Sequence, residues 1–374
     1  MATIEAYETA SGRRYRVRYR RPDNTQTDKR GFRTKRDAEG FLATVEVSKL
    51  RGEWIDPSRS RVLFGEVAEA WYAGKVRVKP TTRSGYRNSL DKHVLPAWGR
   101  IRIADIEHSG VQAWVAQLSE TLSPSSTRQI YLVLSGVLAF AVRDGRLARN
   151  PASDIELPRL VASERKYLSH AQVHALANEV GDWQTLVRFL AYTGLRWGEA
   201  TALRPADVDL PNRLVHVRRA VADVRGTLVW GTPKTHEQRT VPFPSILDND
   251  LAAHVSAGAR VGLVFAGSSG APVRGGNFRR RVFGPAIARL KIISNGAFPD
   301  VTPHDLRHTA ASLAISAGAN VKILQRMLGH ASAAMTLDVY ADLFPEDLTS
   351  VSIALDRAAR DSDVGKMWAN GPSA

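Results

Sequence analysis

Two polar, proline-containing segments divide the chain of 374 residues into three parts and limit what each part can fold into. The first, WIDPSRSR, occupies 54–61, and the second spans 150–158, where its prolines oppose helix formation. A chain of this length can bury more than one hydrophobic core. We therefore predict domains over 1–56, 63–150 and 165–360, linkers over 57–62 and 151–164, and a polar tail over 361–374.

The first part has the pattern of a small sheet followed by a helix. In the segment RRYRVRYRR the arginines alternate with Tyr15, Val17 and Tyr19, which is the period of a half-buried strand. We predict further strands in the preceding IEAYETA and in GFRT at 31–34. The spacing of apolar residues over 35–50 predicts a helix.

The arginines of this strand share one face, which we predict to contact DNA. Residues 1–36 carry 11 Lys and Arg against 4 Asp and Glu, a net charge of +7. Like charges on one face repel each other, and arginine makes bidentate contacts with phosphate and guanine. A β-ribbon of this kind fits the major groove. A solvated outer face is the alternative. The predicted contacts are Arg14, Arg16, Arg18, Arg20, Arg33 and Lys35.

The middle part reads as four or five short helices from 63 to about 144, an all-α domain. Basic and hydroxyl side chains cluster where one of these helices begins, and helix N-termini bind phosphate. A plain solvated helix start is the alternative. The residues of this cluster are Lys79, Thr81, Thr82, Arg83, Tyr86 and Arg87.

Composition narrows the class of partner and of chemistry. The chain has 52 Lys and Arg against 37 Asp and Glu, a formal charge of +15, which favours a polyanionic partner. It has no cysteine, which excludes disulfides, cysteine-ligated zinc and a thiol nucleophile. The longest apolar stretch covers 131–142, shorter than the roughly 20 residues of a membrane span, and the first residues lack the order of a signal peptide. We expect a cytoplasmic, nucleoid-associated protein that binds nucleic acid and no membrane.

Beyond 164 the pattern predicts helices, a β-rich section over 214–243 and then mainly helices. Four separated segments in this part hold side chains that can take part in catalysis. They are TGLRWGEA with Arg196, GTPKTHEQRTVPF with Lys234, PHDLRHTAAS with His304 and Arg307, and LGHASAAMTLDVY with His330 and Tyr340.

These residue types suit phosphoryl transfer without a metal. Arginines hold phosphate through bidentate hydrogen bonds, and a lysine beside other cations can donate a proton. Histidine can orient a phosphate oxygen or move a proton, and an activated tyrosine can be a covalent nucleophile. No carboxylate cluster for two-metal chemistry is apparent in the sequence, so we expect neither a metal nor a cofactor. Glu199 and Asp305 lie beside the arginines and are predicted to orient them.

The four segments, in this order, resemble those of the tyrosine recombinases, and most closely temperate-phage integrases with an N-terminal arm-binding domain. The resemblance covers about 165–345 for the catalytic part and KPTTRSGYRNSLDKHVLPAWG for the core-site-binding domain. It implies a multidomain fold. The arm-binding domain would be a small sheet plus a helix, the core-binding domain all-α, and the catalytic domain mainly α with a small antiparallel sheet.

The resemblance also implies a role for each catalytic residue. Arg196 and Arg307 would hold the scissile phosphate, and Tyr340 would attack it to form a 3′-phosphotyrosyl bond. Lys234 would protonate the leaving 5′ oxygen. His304 would assist proton transfer, and His330 would donate a hydrogen bond to the phosphate.

Three other residues near these positions have plainer interpretations. His236 and Arg239 lie in the same turn-like stretch as Lys234, and any of the three could be a solvated loop charge. His308 follows His304 by four residues, a metal-ligand spacing, but no third ligand is evident. We therefore predict that His308 packs locally within its helix.

The implied function is site-specific recombination of duplex DNA at core and arm attachment sites, through a Holliday junction, by a homotetramer. A DNA-bending host factor and an excisionase are further partners that the resemblance suggests. The predicted helix over 348–360 has an apolar face that could dock on a neighbouring copy or pack on its own domain. The alternatives are a chromosome-dimer resolvase, a type IB topoisomerase-like enzyme, and a non-catalytic DNA-binding regulator of the same fold.

Overall fold

A computed structural model describes residues 2–21, 24–50, 59–160, 165–233 and 238–343, together with 352–353, 355–357 and 359–360. The chain forms two compact units, Met1–Ala162 and Ser163–Ala374. The described residues are mostly helical with small antiparallel sheets, which confirms the predicted fold class.

The first unit begins with an antiparallel sheet of three strands, in the order β1-β2-β3, that is followed by a helix. Val17 and Tyr19 of the central strand are buried and share a small core with Ala38 and Val45 of the helix, as the alternation predicts. The elements are β1 (Thr3–Thr9), β2 (Gly12–Arg20), β3 (Gln26–Phe32) and α1 (Lys35–Leu50).

The bounds predicted for the third strand are wrong. The sequence pattern places it at 31–34, whereas β3 runs Gln26–Phe32. Its residues QTDKRGF show no alternation of apolar and polar side chains. The strand forms because its backbone pairs with β2, from Arg20 opposite Gln26 to Tyr15 opposite Phe32, and such pairing leaves no signal in local hydrophobicity.

A helical core forms the remainder of the first unit. A π-helical turn, Leu90–Val94, joins two of its helices. Ser123 begins the last helix, since its hydroxyl accepts a hydrogen bond from the backbone N–H of Ser126 at 3.3 Å. Leu134 and Leu138 of that helix are fully buried. The helices are α2 (Phe64–Ala73), α3 (Pro80–Ser89), α4 (Leu95–Trp98), α5 (His108–Thr121) and α6 (Pro124–Arg143).

Helix α6 is the one helix among the described residues whose length and apolar content would suffice to cross a membrane. Its buried side chains lie at the centre of the helical core, packed with Phe64 and Trp71 of α2. Core helices of soluble proteins pass the same test of length and composition.

The second unit carries two small sheets among its helices. One sheet has the strand order β4-β5-β8, and the other is the hairpin β6-β7. The elements are α7 (His170–Glu179), α8 (Gln184–Thr193), α9 (Trp197–Ala200), β4 (Val208–Asp209), β5 (Leu214–Val217), β6 (Ala220–Val224), β7 (Thr227–Gly231), β8 (Arg239–Pro242), α10 (Asp248–Val261), α11 (Gly275–Phe278), α12 (Gly284–Ile293), α13 (Asp305–Ser316), α14 (Val321–Leu328) and α15 (Ala333–Tyr340).

The turn after α8 requires a glycine. Gly194 has a φ of +65°, and a Cβ at that position would lie 2.9 Å from Leu328 Cδ2 and 3.2 Å from Ala310 Cβ. Both the left-handed backbone and the close packing therefore exclude a side chain. The turn places Arg196 beside α13 and the end of α14.

The predicted helix over 348–360 lies partly outside the described residues, including Val351 and Ala354. The described positions within it are helical. Ile353 and Leu355 are exposed, by 58% and 66%.

The two faces of α6 give a test of the helical core. Leu134→Ala should lower the free energy of unfolding by about 2–5 kcal/mol, because it empties a fully buried site. The matched control is Leu132→Ala on the same helix, which is 64% exposed and should stay within about 0.5 kcal/mol of wild type. Urea unfolding followed by circular dichroism measures both, and equal losses would contradict the assigned core face.

Candidate active site

The structure brings residues of all four chemistry-bearing segments together near the ends of α8, α14 and α15. Arg196 immediately precedes α9, and Arg307 lies in the first turn of α13. His330 follows the end of α14, and Tyr340 is the last residue of α15. The segment GTPKTHEQRTVPF contributes Arg239, whereas its Lys234 and His236 lie outside the described residues.

Arg307 is a buried guanidinium held by two backbone carbonyls. Its side chain donates to Gly194 O at 2.6 Å and to Leu328 O, and the residue is 4% exposed. Burial and the positive charge of Arg196 lower the pKa of Arg307 to about 9, so the group is still charged at neutral pH. Its remaining N–H donors are available to an anion.

Glu199 is a buried carboxylate that ties two arginines together. It accepts from the backbone N–H of Arg196 at 2.9 Å and from that side chain at 3.0 Å. Arg239 donates to both carboxylate oxygens, at 3.1 and 2.7 Å. Burial acts to raise the pKa of Glu199, but the hydrogen bonds and charge of Arg239 and Arg196 outweigh it and lower the pKa. The carboxylate therefore stays ionised and fixes the Arg196 guanidinium.

The sequence leaves open that Arg239 is a solvated loop charge, but the structure places it inside the second unit. It is the first residue of β8, its side chain is 9% exposed, and its Nε donates to Met327 O at 3.0 Å. The sequence does hold a signal for this position. Arg239, Val241 and Phe243 occupy every second position, so their side chains lie on the same face of the strand. Because Val241 and Phe243 are buried, that face points inward.

The hydrogen bonds of the Asp305 carboxylate go to Thr302 and not to an arginine. Its carboxylate accepts from the backbone N–H and the hydroxyl of Thr302, at 2.7 and 2.8 Å. At the first position of α13 the side chain folds back over the preceding turn, so it fixes the start of the helix that carries Arg307.

His330 is held by a hydrogen bond between its Nδ1 and Thr336 Oγ1, at 3.0 Å. Burial and the charges of Arg307 and Arg196 lower the pKa of His330 to about 4, so the ring is neutral at pH 7. Because Nδ1 is engaged by the buried Thr336, Nε2 is the nitrogen that can reach a phosphate.

Tyr340 is 1% exposed and packs against Ala311, Leu324 and Leu328. Burial raises the pKa of its hydroxyl to about 12, although Arg307 acts in the opposite direction. Its ring is parallel to that of His330, with 6.4 Å between centroids. Arg165 holds the end of the same helix, because its guanidinium donates to Val339 O. No pattern in the sequence identifies Arg165.

His308 does more than pack within its helix. Its Nδ1 lies 2.8 Å from the hydroxyl oxygen of Tyr340, so it is hydrogen-bonded to the predicted nucleophile. Its ring also meets the ring of His304 edge-on, at 5.4 Å between centroids. His304 itself is exposed at the start of α13. Among the described residues, no group of three or more metal-ligating side chains could hold a metal ion.

The arginine face of β2 is not a row of like charges. Glu5 of β1 lies opposite Arg16 and pairs with Arg16 at 2.5 Å and with Arg18 at 3.4 Å. Asp28 of β3 lies opposite Arg18. The neighbouring strands therefore supply the counter-charges, and repulsion between the arginines no longer argues for a DNA contact.

The other predicted contacts of the first part are near its surface. Arg14 and Arg20 donate to backbone carbonyls, of Arg13 and Asn24 respectively. Arg33 is exposed, and Lys35 pairs with Glu39 at 3.7 Å on the surface of α1.

The basic cluster of the middle part divides in two. Thr81 and Thr82 are exposed in the first turn of α3, which Lys79 precedes. Arg87, in contrast, bonds to Glu69 at 2.7 Å and to Asp91, and these carboxylates raise its pKa. Arg83 and Arg87 both lie over the ring of Tyr72, at 5.0 and 5.4 Å, and Tyr86 packs against Trp71 at 5.3 Å.

Comparison with known proteins places these residues in a wider context. Residues 166–347 match the phage integrase family, and 64–157 match the phage integrase central domain. The putative prophage phiRv2 integrase of Mycobacterium tuberculosis is 30% identical over 339 residues, which cover 87% of this chain and 88% of that protein.

Solved structures share the fold. The Tn1549 transposon integrase in complex with transposon right end DNA superposes with a TM-score of 0.66 at 21% identity, over 80% of this chain and all of that one. A lambda integrase tetramer bound to a Holliday junction gives a TM-score of 0.56 at 16% identity, over 88% of this chain and 96% of that one.

The carboxylate of Glu199 is the interaction to test by substitution. Glu199→Gln should lower the free energy of unfolding by about 3–5 kcal/mol, because it leaves a buried guanidinium without its counter-charge. The matched control is Glu179→Gln, which removes the partner of the half-exposed Arg289 and should cost about 0–1 kcal/mol. Urea unfolding at pH 7 measures the free energy of unfolding of both variants. Similar losses would contradict the conclusion that the Glu199 carboxylate stabilises the buried arginines.

The contribution of the Glu199 carboxylate to the free energy of unfolding should depend on pH. Because the pKa of Glu199 is lowered in the folded chain, its contribution is complete above the ordinary value of 4.5 and is lost as the pH falls toward the folded-state pKa. The difference in unfolding free energy between wild type and Glu199→Gln should therefore narrow below pH 4.5. A difference that widened there would contradict the assignment.

Proposed function

The chain belongs to the phage integrase family of tyrosine recombinases, and on that premise we propose that Tyr340 attacks a DNA phosphodiester and holds the 3′ end as a phosphotyrosyl bond. The observation that supports this is the convergence of both arginines on the end of α14. Arg307 donates to Leu328 O, and Arg196 approaches Gly329 O at 3.5 Å. His330 follows directly, with its ring parallel to that of Tyr340.

In this mechanism Arg196 and Arg307 hold the non-bridging oxygens of the scissile phosphate and stabilise the charge that develops on them. A bond forms between the Tyr340 hydroxyl oxygen and phosphorus, and the bond from phosphorus to the 5′ oxygen breaks. Lys234 donates the proton that the leaving 5′ oxygen takes, and His304 assists proton transfer. Nε2 of His330 donates to the phosphate.

The reverse reaction rejoins the strands. The 5′-hydroxyl of a partner strand attacks the phosphotyrosyl bond and releases Tyr340, so no nucleotide triphosphate is consumed. Exchange of one pair of strands produces a Holliday junction, and exchange of the second pair resolves it. In the cell this chemistry integrates and excises phage DNA in the cytoplasm, at the nucleoid.

Each predicted domain has a part in binding DNA. Residues 63–150 and 165–360 clamp the core site, and 1–56 bind distal arm sites. A second contact on the same molecule raises the effective concentration of the core site without changing the active site. The exposed hydroxyls of Thr81 and Thr82 and the charge of Lys79 suit phosphate contacts at the start of α3.

The assembly on DNA is a homotetramer. Lambda integrase, which shares this fold, forms a tetramer bound to a Holliday junction. Exposed Ile353 and Leu355 give the predicted helix over 348–360 an apolar face to dock on a neighbouring copy. A DNA-bending host factor and an excisionase complete the set of partners.

A suicide substrate tests the proposed chemistry. A nicked duplex that carries the attachment site, recovered from the DNA beside the gene, should trap a covalent protein–DNA adduct with the wild-type chain. Tyr340→Phe should give no adduct while binding the same duplex, and Arg196→Ala should bind but cleave at least about a hundredfold more slowly. The proposal fails if wild type binds its site without forming an adduct, or if Tyr340→Phe still forms one.

A further inference from the structure

The hydroxyl of Tyr340 is hydrogen-bonded to His308, a histidine to which the mechanism above gives no role. Nδ1 of His308 lies 2.8 Å from that hydroxyl, although the two residues are 32 positions apart. His308 is half-buried, next to Arg307 on α13, and Tyr340 is 1% exposed. The contact therefore joins the helix of the phosphate-holding arginine to the helix of the nucleophile.

We propose that His308 is a catalytic residue that takes the proton of Tyr340 as the tyrosine attacks the phosphate. This rests on the function proposed above. The proton passes from the Tyr340 hydroxyl to Nδ1 of His308, the oxygen bonds to phosphorus, and the bond to the 5′ oxygen breaks. In the rejoining step His308 returns the proton to Tyr340.

The protonation states suit this transfer. Burial and the neighbouring His304 lower the pKa of His308 below the ordinary 6.5, so its ring is neutral at pH 7 and can accept a proton. Tyr340 keeps its proton at that pH, because its pKa is raised to about 12. With the ring proton on Nε2, Nδ1 accepts the hydrogen bond from the hydroxyl.

Transfer to His308 becomes favourable only while the tyrosine oxygen gives its charge to the phosphate. The positive charges of Arg165 and Arg307 disfavour a protonated His308 ring. The carboxylate of Asp305, which Thr302 holds in place, favours it. The titratable and charged groups that face His308 are His304, Asp305, Arg307, Arg165 and Tyr340.

His330 is less suited to accept this proton. Its ring lies parallel to that of Tyr340, and its Nδ1 is engaged by Thr336. That arrangement directs Nε2 to the phosphate. Burial and the charges of Arg307 and Arg196 lower the pKa of His330 to about 4, so protonation of its ring is unfavourable.

Two substitutions separate proton acceptance from positioning. His308→Asn keeps a polar atom near the place of Nδ1 but cannot take a proton, and His308→Ala leaves a space for free imidazole. Both should slow single-turnover adduct formation on the nicked attachment-site duplex by about 10²–10⁴-fold, with DNA binding unchanged. His174→Asn, an exposed histidine on α7, is the matched control and should react like wild type.

The pH profile and chemical rescue decide the role. The wild-type rate should rise with pH to a plateau as His308 loses its proton, below 6.5. His308→Asn should lack that step, and added imidazole should restore part of the rate of His308→Ala. The inference is overturned if His308→Asn reacts at the wild-type rate, if its pH step is retained, or if imidazole restores nothing. A wild-type chain that forms no adduct would instead refute the function itself.

Discussion

The buried carboxylate of Glu199 is the interaction on which the rest of this site depends. Three guanidinium groups, those of Arg196, Arg239 and Arg307, lie close together, and burial and the charges of the other two lower the pKa of Arg307. Such a cluster is unfavourable in a protein interior unless a negative charge is buried with it. Glu199 supplies that charge through bonds to Arg196 and Arg239, while backbone carbonyls hold Arg307. The site therefore keeps its positive charge in place for a phosphate before DNA arrives.

The proposed nucleophile, Tyr340, differs from the arginines in that its surroundings are apolar. Tyr340 lies in an apolar cluster that raises its pKa to about 12, so it does not ionise on its own near neutral pH. Attack then requires a proton acceptor within hydrogen-bonding distance, and His308 occupies that place at 2.8 Å. In the proposed mechanism the arginines stabilise the phosphate and His308 removes the proton.

Local sequence patterns predicted much of this molecule but not its long-range contacts. The alternation of Tyr15, Val17 and Tyr19 placed β2, and the four segments held Arg196, Arg307 and Tyr340. The bond from Arg239 to Glu199 spans 40 positions, and periodicity carries no information about such a pair. The counter-charges of β2 and the bounds of β3 likewise depend on backbone register, which local hydrophobicity does not encode.

The most direct measurement of the central claim is to map the DNA attachment in the trapped adduct. After nuclease treatment and trypsin digestion, mass spectrometry identifies the peptide that retains a nucleotide phosphate. We predict that this peptide spans 327–357 and carries the phosphate on Tyr340. A nucleotide attached to any other residue would contradict it.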